Sequence, residues 1–469
     1  MAEHYDLIVI GSGPGGLAAA CAAAADGARV AVVERQLQPG GTSLLYGTIP
    51  TKTLREAVLY LRGVRQRAFY GEDFTERETI TPSELLTRVD KVVADRVQVV
   101  RRQLEDAGVT LHVGYHATVA SPTQVEAWQL DDPLETLGLS ADRIILATGS
   151  RPRQVPGLTV DNEVIFDSDS VTSLLFRRAE LPRSMIVLGA GVIGTEVASM
   201  FGALGSAVHL VHRGAELFST VDRDLVAVLE ERLATDGVTF HPHCDVEEAR
   251  RLDEGGARVS MRDGRRLDAD CVVVALGREV ASEVLGLDDV GVELKRYGLV
   301  AVNELFQTNV PSIYAVGDVI GSPSLASTAF EEGRKAAAYA LGRAPRNPGL
   351  PVPMCIYTIP AIASVGFSEF QLREMGVPHA VGRARYEQLT KAGIVGDEQG
   401  MLKLLFEPNT RQLLGAHIVG DLASELIHVA QAVLAHNGSI EYFVDGVVNF
   451  PTLAEAYKQA ALDGLSRGS

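Results

Sequence analysis

The sequence predicts an α/β chain with two Rossmann-like dinucleotide-binding domains followed by a C-terminal α+β unit, and three observations carry this. A short apolar run, Asp6 to Ile10, feeds the glycine run Gly11-Ser12-Gly13-Pro14-Gly15-Gly16 and then an Ala-rich stretch of helical character. The arrangement returns where Met185 to Leu188 feeds Gly189-Ala190-Gly191-Val192-Ile193-Gly194. The copies share one register: the glycine runs begin at Gly11 and Gly189, and the residues closing the second strand of each copy are Glu34 and His212, both pairs 178 positions apart (189 − 11 and 212 − 34). The third observation is the stretch beyond Pro353, which has strand and helix patterns but no further glycine run.

In the first copy, the first glycine permits the tight turn, the second lets backbone approach a pyrophosphate, and Gly16 lets the helix pack against the strand. Arg29 to Val33 is a second strand, and Glu34 at its end is placed to accept hydrogen bonds from ribose hydroxyls. A helical pattern runs through Leu54, Val58, Leu59 and Leu61, followed by a polar, turn-rich passage around Gly71 to Glu76. Pro82 to Ala107 has apolar positions at helical spacing with charges opposite, one long amphipathic helix. Val109 to Val113 and Thr118 to Ala120 are short strands, and Ile144 to Ala147 leads into Thr148-Gly149-Ser150, which closes the first half.

The second copy continues with a helix from about Thr195 to Ala203 and a strand from Val208 to His212. It closes at Val272 to Arg278, where Ala275-Leu276-Gly277-Arg278 echoes Ala147-Thr148-Gly149-Ser150. An acid ending the second strand would favour the ribose hydroxyl of NAD, but here Arg213 follows His212, and a guanidinium pairs with a 2′-phosphate, so NADP(H) is expected to be accepted. Thr308 to Asp318 is an apolar strand delivering Asp318 at its end, and Leu325-Ala326-Ser327 opens a helix through Ala340. Pro345 to Pro353 reads as a linker. Beyond it, Gly400 to Phe406 and Leu413 to Val419 are strands joined by the turn Glu407 to Arg411; Leu422 to Ala435 is a helix closed by Asn437-Gly438, and a final helix begins near Leu453. The expected domains are 1–155 with 283–345, 156–282, and 346–469.

Composition bounds the function. At 469 residues the chain holds about three domains at roughly 100 to 200 residues each. With 46% hydrophobic and 22% charged residues, a disordered chain is excluded. A net charge of −17 argues against nucleic acid or an anionic membrane as the main partner. Cys21, Cys244, Cys271 and Cys355 form no close pair, the pattern of a reduced compartment, so a cytoplasmic location is expected. The chain enters a strand almost at once without a basic leader, and the Ala-rich run Leu17 to Ala25 ends at Asp26; neither a signal peptide nor a membrane span is predicted. His241-Pro242-His243-Cys244-Asp245 lacks a second cluster at zinc spacing, so no metal is expected.

One stretch narrows the chemistry. Gly40 to Lys52 reads Gly-Gly-Thr-Ser-Leu-Leu-Tyr-Gly-Thr-Ile-Pro-Thr-Lys, the frame Gly-Gly-Thr-Cys-x-x-x-Gly-Cys-x-Pro-x-Lys of a redox-disulfide helix with Ser43 and Thr48 at the two cysteine positions. With the two glycine runs, Ala147-Thr148-Gly149, Gly317-Asp318 and the C-terminal unit, this resembles the pyridine nucleotide-disulfide oxidoreductase family over nearly the whole chain. Within it, Gly47 to Ala57 and the ending Asn449-Phe450-Pro451-Thr452-Leu453-Ala454-Glu455-Ala456-Tyr457 look most like the soluble pyridine nucleotide transhydrogenases. The resemblance implies FAD at the first glycine run, held by Gly11, Gly13, Gly16, Glu34, Gly41, Thr42, Lys52, Thr148, Gly149, Asp318 and Ala326. It implies NAD(P)H at the second, held by Gly189, Gly191, Gly194, Arg213 and Gly277, and a homodimer formed by the C-terminal domain. It further implies that Lys52, beside the flavin N5 region, pairs with Glu196 as the catalytic pair.

The chain departs from the disulfide reductases of that family at Ser43, at Thr48 and at Phe450, where those enzymes carry His before the Pro; Glu455, the usual orienter of that His, is kept. Thiol–disulfide exchange needs a thiolate and an acid/base, and a hydroxyl cannot carry electrons through a disulfide. The implied activity is hydride transfer between NADPH and NAD+ without a thiol relay. The rivals are an NAD(P)H dehydrogenase reducing quinones, dyes or oxygen, and a catalytically retired dimer that binds FAD or nucleotide. Ser43 and Thr48 read as passive, Glu455 as a dimer-interface or helix-cap carboxylate, and His417, His428 and His436 as interface or surface histidines.

Overall fold

The structure, a computed structural model, describes residues 3–63, 80–132, 134–176, 178–282, 285–345 and 349–467. The passage at Gly71 to Glu76 and the middle of the linker, 346–348, lie outside them. By its internal contacts the chain forms two compact units, Met1–Leu54 with Leu86–Arg153 and Gly277–Asn347, and Arg55–Leu85 with Gln154–Leu276 and Pro348–Ser469.

The first unit is built on a seven-stranded sheet. Glu3–Ile10 lies between the parallel strands Val30–Glu34 and Thr136–Leu146, with Ile8 opposite Ala31 and Ile144. Leu7, Ile8, Val9, Val32 and Ile145 are buried, as strands covered on both faces require. Thr110–Val113 extends one side, and Ile313–Ala315 pairs in parallel with Thr136–Leu146 on the other. Chain order reverses beside Glu3–Ile10, so its C-terminal end opens at the topological switch point, where α/β sheets bind ligands. The helices Pro14–Ala25 and Ala326–Ala340 cross closely: a Cβ at Gly333 would stand 2.0 Å from the Gly15 carbonyl oxygen.

The second unit repeats the plan. Ser184–Leu188 lies between Ala207–Val211 and Cys271–Val274 in a five-stranded parallel sheet, and Val192–Ala203 is the helix after its glycine turn. The same unit contains a five-stranded antiparallel sheet, with Leu413–Val419 between Ile362–Gly366 and Met401–Phe406, and the helices Ala423–Ala435 and Glu455–Arg467.

Several elements differ from the sequence reading. The second fingerprint helix begins at Val192 rather than Thr195, because Gly191 is the extended N-cap. Thr118 to Ala120 is the middle of a longer strand, Tyr115–Ser121, which pairs antiparallel with Gln124–Gln129. The latter buries Val125 and Ala127 between the exposed Gln124 and Glu126, a short alternation that the sequence reading passed over. The strands Ile362–Gly366 and Ala380–Arg385 and the helix Arg223–Thr235 were also unpredicted. His417 is not a surface histidine: at 2% exposure it sits inside the C-terminal sheet, its Nε2 2.9 Å from the Phe367 carbonyl oxygen.

Candidate functional site

The first glycine turn is held by backbone contacts that no side chain could share. The Gly11 amide donates to Val33 O and the Ala147 amide to Ile10 O, both at 2.8 Å, which ties the ends of three neighbouring strands. A Cβ at Gly11, where φ is +101°, would stand 2.4 Å from Ala147 O, and one at Gly16 would stand 1.9 Å from Gly11 O. At Gly13 the nearest atom to such a Cβ is the Gly41 Cα at 3.9 Å, so the turn is open there. Gly13 is also the N-cap of Pro14–Ala25 and supplies no side-chain cap, which leaves the positive helix end to an anion.

Glu34 is buried, and its carboxylate accepts from the Ser12 amide at 2.8 Å, the Ser12 hydroxyl at 2.6 Å and the Gln36 amide at 2.8 Å. Ser12, which the sequence reading passed over, also accepts from the Gly40 amide at 2.9 Å, so it joins Glu34 to the start of the helix Gly41–Leu45. Thr42 O takes the Gly47 amide at 2.7 Å. Thr148 Oγ1 is buried with no hydrogen-bond partner among the described residues, an orphan aimed beside the strand ends. These groups fit a dinucleotide: open turn, uncapped helix end, strand-end acid and an unsatisfied hydroxyl.

Asp318 stands in the short turn Gly317–Ile320 and accepts from Ser150 Oγ at 2.5 Å. Arg278 donates to the same Ser150, to Oγ at 2.8 Å and to O at 2.8 Å. Ser150–Pro152 and Arg278–Val280 pair as a two-stranded ribbon, with Gly149 O taking the Ala281 amide and Gly277 O the Arg153 amide, both at 3.1 Å. The two closing segments thus meet just beyond their echoed residues, with Ser150 opposite Val280 and Arg278 opposite Pro152, and Gly277 lies with the first unit. Neighbouring Glu332 accepts from the Gly317 amide at 2.8 Å; burial, with the Asp318 charge, holds it above the usual carboxylate range. Ala326 is the first residue of the helix Ala326–Ala340.

The second turn reproduces the first. Gly189 N donates to Val211 O and Ala275 N to Leu188 O, both at 2.8 Å. Cβ atoms at Gly189 and Gly194 would stand 2.4 Å from Ala275 O and 1.9 Å from Gly189 O, while at Gly191 nothing lies within 4 Å. Arg213 is exposed at the strand end. Glu196, on the helix Val192–Ala203, is 4% exposed and accepts from the Tyr357 amide at 2.8 Å. Arg55, also unanticipated, donates from Nε to Thr358 O at 3.0 Å and lies in the field of Glu196; burial holds its guanidinium below the ordinary value.

Lys52 and Glu196 belong to different units; Lys52 is half-buried on the helix Thr48–Leu61, its Nζ 3.4 Å from Thr51 Oγ1. Ser43 lies in Gly41–Leu45, and Thr48 is the first residue of Thr48–Leu61. The four cysteines lie elsewhere and are unpaired. Burial pushes Cys271 up to about 12, Cys355 up to about 11 and Cys21 above its ordinary value, so these three are poor thiolates. Glu455 Oε2 accepts from the Thr452 amide at 3.4 Å at the start of Glu455–Arg467, a helix-cap arrangement. Phe450 is 71% exposed.

Two glycine turns of one geometry, each at the switch point among the parallel strands of its own sheet, together with an antiparallel C-terminal sheet, define a two-dinucleotide oxidoreductase. Residues 5–333 match the pyridine nucleotide-disulphide oxidoreductase family and residues 352–461 its dimerisation domain; the chain belongs to that family. The soluble pyridine nucleotide transhydrogenase of Mycobacterium tuberculosis is 43% identical over 99% of this chain and 98% of its own length. That of Sodalis glossinidius is 40% identical with the same coverage. Among solved structures, LpdA from Mycobacterium tuberculosis superposes with a TM-score of 0.88 at 26% identity, covering 98% of this chain and 99% of that one. The flavoprotein disulfide reductase RclA from Escherichia coli shares the fold, with a TM-score of 0.86 at 23% identity over 98% of this chain and 99% of that one.

Proposed function

We propose that this chain passes hydride between NADPH and NAD+, with FAD held at the first glycine turn, a nicotinamide nucleotide at the second, and no protein thiol in the route. The observation that carries this reading is the pair of hydroxyl side chains, Ser43 and Thr48, at the two thiol positions of an otherwise intact frame. The high thiol pKa values of Cys271 and Cys355 support it, as do the close relatives named for transhydrogenation. Bound FAD supplies a two-electron hydride acceptor and donor. Gly13, Glu34, Thr42, Thr148, Asp318 and Ala326 hold it, and Lys52 contributes positive charge to the flavin side. Gly191 and the helix Val192–Ala203 receive the second dinucleotide, and Arg213 takes the 2′-phosphate when there is one. That phosphate is remote from the nicotinamide ring, so the exchange is nearly balanced in energy and asks for one site that admits both nucleotides.

The proposed division is FAD at 1–155 and 283–345, NAD(P) at 156–282, and a dimerisation domain at 346–469. A homodimer fits the exposed Tyr442, Val447, Phe450 and Leu462 of the C-terminal segment. No described helix is long and apolar enough to cross a membrane, and the unpaired cysteines suit a cytoplasmic setting. The test is initial-rate kinetics of the purified protein with NADPH and a thio-analogue of NAD+. Parallel double-reciprocal lines, at rates above those with oxygen, are expected. Ready reoxidation by quinones with no measurable reaction with NAD+ overturns this reading in favour of a dehydrogenase.

A further inference from the structure

The two halves offer the same backbone group to two different side chains. In the first, the amide of Ser12 donates to Glu34 Oε2 at 2.8 Å. In the second, Ala190 and His212 stand at the same offset of 178 (190 − 12 and 212 − 34), and the Ala190 amide donates to His212 Nδ1 at 3.4 Å. A ring nitrogen that accepts is unprotonated, so this bond selects the neutral imidazole with its proton on Nε2. The ring is held in place: it stacks at 6.5 Å on Phe240, and a Cβ at Gly214 would stand 2.7 Å from Nε2, so glycine there makes room for it. Among the described residues the charge acting on the ring is that of Arg213, and the titratable His241, His243 and Cys244 of the neighbouring strand end are joined to its segment by backbone bonds. His241 O accepts from the His212 amide and the Cys244 amide donates to His212 O, both at 2.9 Å.

We propose that His212 is a specificity-determining residue that makes the choice between 2′-phosphorylated and unphosphorylated nicotinamide nucleotides depend on pH. The inference rests on the nicotinamide reading of the second half. Burial, and then the Arg213 charge, hold the free imidazole below its ordinary value, so near neutrality it accepts from the fingerprint amide. A 2′-phosphate bound beside Arg213 reverses the balance, because a nearby anion favours the imidazolium. One proton is then taken from solvent, Nδ1 ceases to accept from Ala190 and becomes a donor, and the phosphate meets two cations. A nucleotide with a free 2′-hydroxyl brings the same pyrophosphate to the glycine turn but no charge beside Arg213, and takes up no proton there. NADP(H) affinity therefore rises as pH falls through the imidazole range, while NAD(H) affinity stays level.

Calorimetric titration of the flavin-loaded protein with NADP+ and with NAD+, in buffers of different ionisation enthalpy, tests this. The comparator is His212→Asn, whose side-chain oxygen can still accept from Ala190 but whose side chain cannot protonate. Greater net proton uptake with NADP+ is expected in the parent than in H212N near neutral pH. The NADP+ affinity of the parent should gain about tenfold over H212N for each unit by which the bound phosphate raises the imidazole. The phosphate's own titration near pH 6 is common to both proteins and cancels. Identical proton uptake in the two overturns the proposal, and so does a ratio of NADP+ to NAD+ affinity in the parent that stays flat from about pH 8 to about pH 7. Binding of neither nucleotide by the parent overturns the nicotinamide reading itself, a failure distinct from binding without proton uptake.

Discussion

Replacing Lys403 with methionine strikes the most buried charge among the described residues. Its ammonium, 1% exposed, donates to Asp222 at 2.8 Å, Asp224 at 2.9 Å and Glu369 at 2.5 Å, tying the start of the helix Arg223–Thr235 to the C-terminal sheet. The three carboxylates do not depend on it equally. Asp224 keeps Arg383 at 2.9 and 2.7 Å, and Glu369 keeps Arg373 and, at 3.8 Å, Arg383. Asp222, 3% exposed, loses its one ion-pair partner among the described residues. Breaking a buried pair from one side costs about 3–5 kcal/mol. With two of three carboxylates still compensated, K403M should fall near the low end, about 3 kcal/mol. Adding Asp222→Asn removes the stranded charge but keeps the oxygen that caps the helix through the Asp224 amide, so the double variant should regain about half of the loss. Urea unfolding of the flavin-loaded proteins as a double-mutant cycle measures both quantities. A loss under about 1 kcal/mol for K403M, or no recovery in the double variant, refutes the reasoning.

The pH dependence of this cluster has a definite sign. Burial lowers the Lys403 value, but its carboxylate partners raise it further, so its stabilisation is full below the unfolded value of about 10.4 and is lost as pH rises through the higher folded one. Burial raises the Asp224 value, but Lys403 and Arg383 lower it further; its stabilisation is present above about 3.9 and is lost as pH falls through the lower folded value. The cluster therefore contributes evenly across the neutral range.

Three further outcomes are expected. The protein should purify with oxidised-flavin absorbance, and Gly16→Ala should lose most of it, since the added methyl would stand 1.9 Å from Gly11 O; folded parent protein that takes up no FAD overturns the assignment of the first turn. Arg213→Ala should weaken NADPH binding about tenfold or more while leaving NADH nearly unchanged, the size of a charge-assisted hydrogen bond of about 1.5–3 kcal/mol; equal effects on both nucleotides remove Arg213 from the phosphate site. Glutathione disulfide and dihydrolipoamide should not turn over, and enzyme-like rates with either would place a redox thiol where Ser43 and Thr48 leave none.

What the sequence alone determined is whatever depends on neighbours along the chain. A strand, a glycine turn and a helix follow one another within a few residues, so both fingerprints, their strand-end residues Glu34 and His212, and their common register could be read directly. The hydroxyls at Ser43 and Thr48 could be read in the same way, because the frame around them is contiguous. The tertiary structure decided what joins distant segments: the clasp of Asp318, Ser150 and Arg278, the Tyr357 amide on Glu196, Arg55 on Thr358, and Gly333 against Gly15. It also decided that His417 and Lys403 face inward, since a cross-strand pair on a sheet buried on both faces gives a polar residue no alternating pattern by which to be recognised. These contacts rest on close approaches between groups more than a hundred residues apart, and their geometry comes from how the sheets and helices pack, which local residue preferences do not encode.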